Sequence, residues 1–137
     1  MIKIARNAAL LLVVTAAACA GAPPKVRMSV TERMPAAEGT VVVAQAENDN
    51  TALEVSVRHL APPEKIAPEA TTYVVWARAS AAGRVQNLGA LKVNDDLQGT
   101  LKTVTPLRTF DVFITAEASP TAQSPSSDGL LTASVER

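Results

Sequence analysis

In the stretch "ALEVSVRHL", Leu53, Val55 and Val57 alternate with Glu54, Ser56 and Arg58, and the same period of two returns repeatedly from Lys25 to the end of the chain. Successive strand side chains point to opposite faces, so this alternation is the signature of half-buried β-strands and is incompatible with a helical stripe. It recurs with Val26, Met28 and Val30 in "KVRMSV", with Phe110, Val112, Ile114 and Ala116 in "RTFDVFITAE", and with Leu131, Ala133 and Val135 in the last run. "GTVVVAQAE" is apolar and branched, and "TTYVVWARA" is apolar on both faces, which predicts a central strand. Turn formers such as Asn48 to Asn50, "AAGR" and "NDDLQG" interrupt the runs every 8–14 residues. No segment supplies the crossover helix that parallel strands would need. These features predict an all-β fold: an antiparallel two-sheet β-sandwich of immunoglobulin-like type, with about seven to eight strands. "LAPPEKIAPEA" is a proline-rich connection, because Pro62, Pro63 and Pro68 cannot continue a central strand. Trp76 is expected to fill the space between the sheets.

The N-terminus follows a different pattern. Lys3 and Arg6 precede the uncharged apolar run "AALLLVVTAAA", Ala8 to Ala18, and small residues and Cys19 follow. A run of 11 residues is too short to span a bilayer and fits the apolar region of a secretory signal. Cleavage after Ala18 or after Ala20 would suit ordinary processing. The stretch "TAAAC", Thr15 to Cys19, also resembles the lipobox of bacterial lipoprotein signals, with Ala16 standing where Leu is more common. That resemblance implies that Cys19 becomes the acylated, diacylglyceryl-modified mature N-terminus, and Ala20 after it implies outer-membrane sorting. The chain then divides into a signal segment over 1–19, a tether over 20–25 and a sandwich domain over 26–137. The tether "AGAPPK" is flexible and then stiff.

Composition narrows the function classes. The chain has 13 basic and 13 acidic residues; without Lys3 and Arg6 it keeps 11 basic residues against 13 acidic, a net of −2. That balance argues against nucleic acid and against charge-driven attraction to anionic lipid. Cys19 is the single cysteine, so neither an intrachain disulfide nor a thiolate zinc site can form.

Candidate chemistry is sparse. His59 is the single histidine, at the end of a strand, and no "GxSxG" stretch supports a serine nucleophile. A copper site would have to draw on Met28, Met34 and His59, yet Met28 reads as core-facing. Calcium candidates are Glu47 to Asn50 and Asn94 to Asp96; neither has the spaced acidic pattern of a calcium loop, and both read as turns. Glu54, Asp111 and Glu117 read as solvated positions on polar strand faces rather than as a paired acid and base. The glycines are scattered and form no phosphate-binding loop, so no cofactor is expected. Phe113 is the exception to the pattern, an aromatic on the polar side of its strand, pointing either to a covered second face or to a partner surface.

The C-terminal half has a further rhythm: Tyr73 and Trp76 on an apolar strand, Gly89 with Leu91, Gly99 with Leu101, the aromatic strand Phe110 to Glu117, then Pro125 and Gly129 before the last strand. This resembles the extracytoplasmic β-sandwich domain of anti-sigma-K-type factors and related bacterial lipoproteins. The resemblance implies the sandwich fold. Those factors carry a cytoplasmic helical domain and a transmembrane helix ahead of it, and neither is read here, so sigma-factor binding is not expected. The expected function is that of a non-catalytic cell-envelope lipoprotein, structural or protein-binding, held to the membrane through Cys19 and facing the periplasm. A periplasmic copper- or calcium-binding or other ligand-binding module and a secreted soluble protein are the alternatives.

Overall fold

The computed structural model describes residues 21–80 and 82–137. They form two antiparallel sheets packed face to face, with nine strands and one short helix. The strands are β1 (Lys25–Arg27), β2 (Ser29–Val30), β3 (Glu38–Gln45), β4 (Thr51–Arg58), β5 (Thr72–Arg78), β6 (Val85–Leu91), β7 (Gly99–Thr105), β8 (Thr109–Glu117) and β9 (Leu131–Glu136). The helix α1 (Pro63–Ile66) lies in the proline-rich connection, started by prolines that fit a first helical turn. The four-stranded sheet has the order β1-β3-β4-β7 and the five-stranded sheet the order β2-β9-β8-β5-β6.

The run β9-β8-β5-β6 matches the G-F-C-C′ order of immunoglobulin-type sandwiches. The other sheet follows the same plan: the hairpin β3–β4 precedes β5 as A–B precedes C, and β7 pairs with β4 as E pairs with B.

"KVRMSV" is two strands rather than one, which raises the strand number above the expected value. β1 pairs with β3, β2 pairs with β9, and the chain changes sheets at Met28. The amide of Met28 still donates to Gly39 O at 2.9 Å, and its side chain is buried in the core. One open side of the sandwich is thereby partly covered by a single segment, over three residues of β3 and two of β9. On the opposite side β6 and β7 face each other across the corner, where Thr103 Oγ1 donates to Leu88 O at 3.1 Å and Thr105 Oγ1 to Gln86 Oε1 at 3.0 Å.

The core between the sheets holds the residues that the alternation assigns to it. Val41, Val43, Leu53, Val55 and Val57 come from one sheet; Phe110, Val112, Ile114, Leu131 and Val135 come from the other. β5 is buried on both faces. Tyr73, Val75 and Ala77 join this central core, whereas Val74 and Trp76 form a second cluster with Phe113 on the outer face of the five-stranded sheet. Trp76 therefore does not fill the space between the sheets. A strand apolar on both sides leaves its orientation open, and Tyr73 has taken the inner side. β6 accommodates this with a bulge opposite Val75 and Trp76, where Gly89 has φ +134°, a value that side-chain-bearing residues rarely adopt.

Two close contacts fix the interior. A Cβ on Gly99 would collide with the carbonyl oxygen of Lys92, a backbone atom that cannot turn aside. Tyr73 Oη donates to Ala61 O at 2.5 Å, tying β5 to the proline connection. Burial pushes this phenol well above its ordinary pKa, and the charge of Glu64 adds to the shift.

Both contacts can be tested by unfolding measurements. Gly99→Ala should lower stability by about 1–3 kcal/mol through overpacking, read as an earlier urea midpoint with an unchanged slope. The raised Tyr73 pKa favours the neutral phenol in the folded state. Its contribution is complete below the phenol's unfolded value, about 10, and is lost as pH rises beyond it. Denaturation midpoints of wild type and Tyr73→Phe should therefore differ at neutral pH and converge above about pH 10.5. Parallel curves would show that the phenol's ionisation is not linked to folding.

Candidate functional site

The outer face of the five-stranded sheet is where polar chemistry and burial coincide. Trp76, Thr115 and Glu117 lie on this face, and all three are buried. Trp76 Nε1 donates to Thr115 Oγ1 at 2.8 Å, and Thr115 Oγ1 donates to Glu117 Oε1 at 2.5 Å. One hydroxyl thus uses its acceptor and its donor capacity in a single relay. The same carboxylate oxygen accepts the amide of Ser126 at 2.9 Å. Glu117 is therefore not on a solvated strand face, as the alternation had implied; it is 4% exposed. Its cover is the loop after β8. Asn87 Nδ2 donates to the carbonyls of Pro120 and Ala122 at 3.0 Å each, and Ala122 packs on the Trp76 cluster.

Next to this relay lies a groove of about 760 Å³. Its floor is the sheet face at Arg78, Phe113 and Thr132; Thr31 and Arg33 line one part, and the Pro125–Leu130 loop another. Thr31 is positioned by its amide, which donates to Leu130 O at 3.1 Å, while Leu130 N donates to Ile114 O at 2.8 Å. The Arg78 guanidinium carbon sits 5.0 Å from the centre of the Phe113 ring. Phe113, flagged in the sequence as out of pattern, is thus both covered and part of a recess.

The other candidate residues are dispersed. Cys19 lies outside the described residues. Met28 and Met34 belong to the central core, whereas His59 is exposed at the end of β4 with φ 54°. The structure does not assemble them into a copper site. Asp49 sits in a left-handed turn and is paired with Arg108 and with Arg137, the latter at 3.2 Å. Asn94 Oδ1 accepts the amides of Asp96 and Gln98 at 3.0 Å each, a side-chain-closed turn. Among the described residues no three His, Cys, Asp or Glu side chains converge as metal ligands. Glu54 pairs with Lys102 at 3.6 Å on the other sheet, and Asp111 accepts Ser134 Oγ at 2.6 Å. Asp111 and Glu117 stand at opposite ends of β8, six strand steps or about 20 Å apart. That is well beyond the separation of a glycosidase pair.

Sequence reading missed Thr31, Arg33 and Arg78. Phe113 was the one available signal, because an apolar ring on an outward position calls for a neighbour. Comparison with protein-family models, with curated proteins and with solved structures finds no match to this chain.

Thr115→Val should destabilise the fold by about 1–3 kcal/mol, since it strands the indole N–H and removes a hydrogen bond to a buried carboxylate. Thr115→Ser should restore most of the loss. Ser134→Ala, at an exposed position on the same face, should change stability by less than about 0.5 kcal/mol. Equal effects for Thr115→Val and Ser134→Ala in urea unfolding would show that the relay contributes nothing beyond surface contacts.

Proposed function

We propose that this chain is a lipid-anchored protein of the bacterial cell envelope whose sandwich acts as a non-catalytic structural or protein-binding module. The observation that carries this reading is the position of Cys19, the single cysteine, at the end of a short apolar run and six positions before β1 begins at Lys25. That span is at most about 20 Å long when extended, a tether that holds the domain close to a membrane surface. No helix among the described residues is long and apolar enough to cross a membrane. The dispersal of His59 and of the acidic side chains supports a binding or structural role over a hydrolytic one. The resemblance to anti-sigma-K-type extracytoplasmic domains enters this reading as an account of the sandwich, with no sigma partner attached. Ala20 after the cysteine suits an outer-membrane destination. The groove beside Phe113 favours, as a second reading, a module that holds a ligand.

Cys19→Ala is the decisive variant for the anchor. Two or more acyl chains hold a protein stably on a bilayer, whereas a protein without them has no comparable hold. Wild-type protein should fractionate with membranes and the variant with soluble periplasmic proteins, and mass spectrometry of the wild-type N-terminus should show an acylated cysteine. A variant that stays with the membrane, or a wild-type mature N-terminus without acyl groups, overturns the anchor reading and leaves plain secretion.

A further inference from the structure

We infer that the groove beside Phe113 is a recognition site for an oxyanion, a carboxylate or a phosphate, carried by a ligand that also presents an apolar group. Buried polar side-chain atoms find partners almost everywhere in folded proteins, and each exception calls for an explanation. Among the described residues two such atoms lack a partner: Thr31 Oγ1 and Arg78 Nε. Both residues line this one groove. Both atoms are closed off from solvent in this state, so an acceptor reaches them only as the Arg78 and Thr31 side chains shift at the groove wall. The Nε–H can then donate to it, and the hydroxyl can donate to the same group.

Charge points the same way. The groove contains two guanidiniums, Arg33 and Arg78, and one carboxylate, the exposed Asp128 on the loop. Neither arginine is in an ion pair among the described residues. Asp111, the cross-strand neighbour of Arg78, instead accepts a hydrogen bond from Ser134. Arg78 is half-buried with Phe113 beneath it, which restricts the guanidinium while its in-plane N–H groups remain able to donate. A planar fork of this kind matches the two oxygens of a carboxylate or phosphate. Exposed Arg33 supplies a second positive charge, and Ser127 a hydroxyl on the loop. Phe113, Pro125 and Leu130 give the recess its apolar surface. The groove volume lies within the range of small-ligand sites. The inference rests on this groove alone and is independent of whether Cys19 is acylated.

The test uses the full chain carrying Cys19→Ala, labelled with nitrogen-15, so that acylation cannot interfere. Sodium phosphate and sodium acetate are titrated separately at constant ionic strength against sodium chloride, and the Arg78 Nε–Hε signal is followed by NMR. The expected result is a saturable shift of that signal, with the Thr31 and Ser127 amides moving along the same curve. Arg33→Ala, at an exposed position, should weaken the binding several-fold without disturbing the rest of the spectrum. Arg78→Lys keeps the charge over Phe113 but removes the fork, and should abolish saturation. Saturation by phosphate alone assigns a phosphate-type ligand, by acetate alone a carboxylate-type ligand, and by both the shared chemistry. No saturable shift with either anion, an equal response to chloride, or saturation unchanged in both arginine variants overturns the proposal.

Discussion

Burial of β5 on both faces is the constraint from which the rest of this structure follows. Tyr73, Val74, Val75, Trp76 and Ala77 are all fully buried, although the five-stranded sheet has only one sheet to pack against. Its inner face is covered by the four-stranded sheet. Its outer face carries an indole and a phenyl ring, and leaving them in water would forfeit about 1.5–3 kcal/mol for each large side chain. A third layer is therefore required, and the loop after β8 supplies it. That loop is polar in composition, so it covers Trp76 through hydrogen bonds from Asn87 and to Glu117 more than through apolar packing. The Thr115–Glu117 relay is the consequence: an indole N–H brought under cover must have an acceptor, and the acceptor's own proton must go to another.

Closure of the two sides of the sandwich has a similar logic. Exposed strand edges present unpaired backbone groups that can template association. Here the segment from Lys25 to Val30 serves both sheets in turn, and the β6 and β7 edges bond to each other through Thr103, Thr105 and Gln86. The edges are therefore only partly covered: β1 spans three residues of β3, β2 spans two of β9, and the β6–β7 bonds are made by side chains.

The distribution of legible and illegible features has a physical basis. Period-two alternation fixes which residues share a face, so Leu53, Val55 and Val57, or Phe110, Val112 and Ile114, could be assigned to the core from sequence. It does not say which face of a doubly apolar strand looks inward, and Trp76 was misplaced for that reason. Nor does it report whether a polar face is covered, because the cover is a loop with no periodicity; Glu117 lies buried under such a loop. The sheet change at Met28 leaves the alternation of "KVRMSV" unbroken, so two strands read as one. Thr31 and Arg33, just after β2, and Arg78, at the end of β5, belong to two distant segments, and only the pairing of β2 with β9, of β9 with β8 and of β8 with β5 brings them to one recess. Cys19 and its apolar run lie outside the described residues, and their reading as a targeting signal comes from the linear order of residues.

The two outer faces of the sandwich differ in a way that bears on both proposals. Pro23, two residues before β1, lies on the outer face of the four-stranded sheet beside Val42, Ala44, Ala52 and Val104, and Val104 is 51% exposed. The chain enters there, because Val43 N donates to Pro24 O at 3.0 Å alongside β3. The arginine groove lies on the opposite outer face, that of the five-stranded sheet. Sheets in such folds pack about 10 Å apart, so the whole sandwich separates the tether from the groove. A chain held through Cys19 would thus attach by its small, mildly apolar face while Arg33 and Arg78 lie on the face turned away from the tether. An anionic bilayer beside the tether would then compete poorly for those arginines, because the groove would stand more than a Debye length, about 8–10 Å, from the lipid headgroups. Attachment and oxyanion recognition would then occupy opposite sides of one domain, each set by the sheet that presents it.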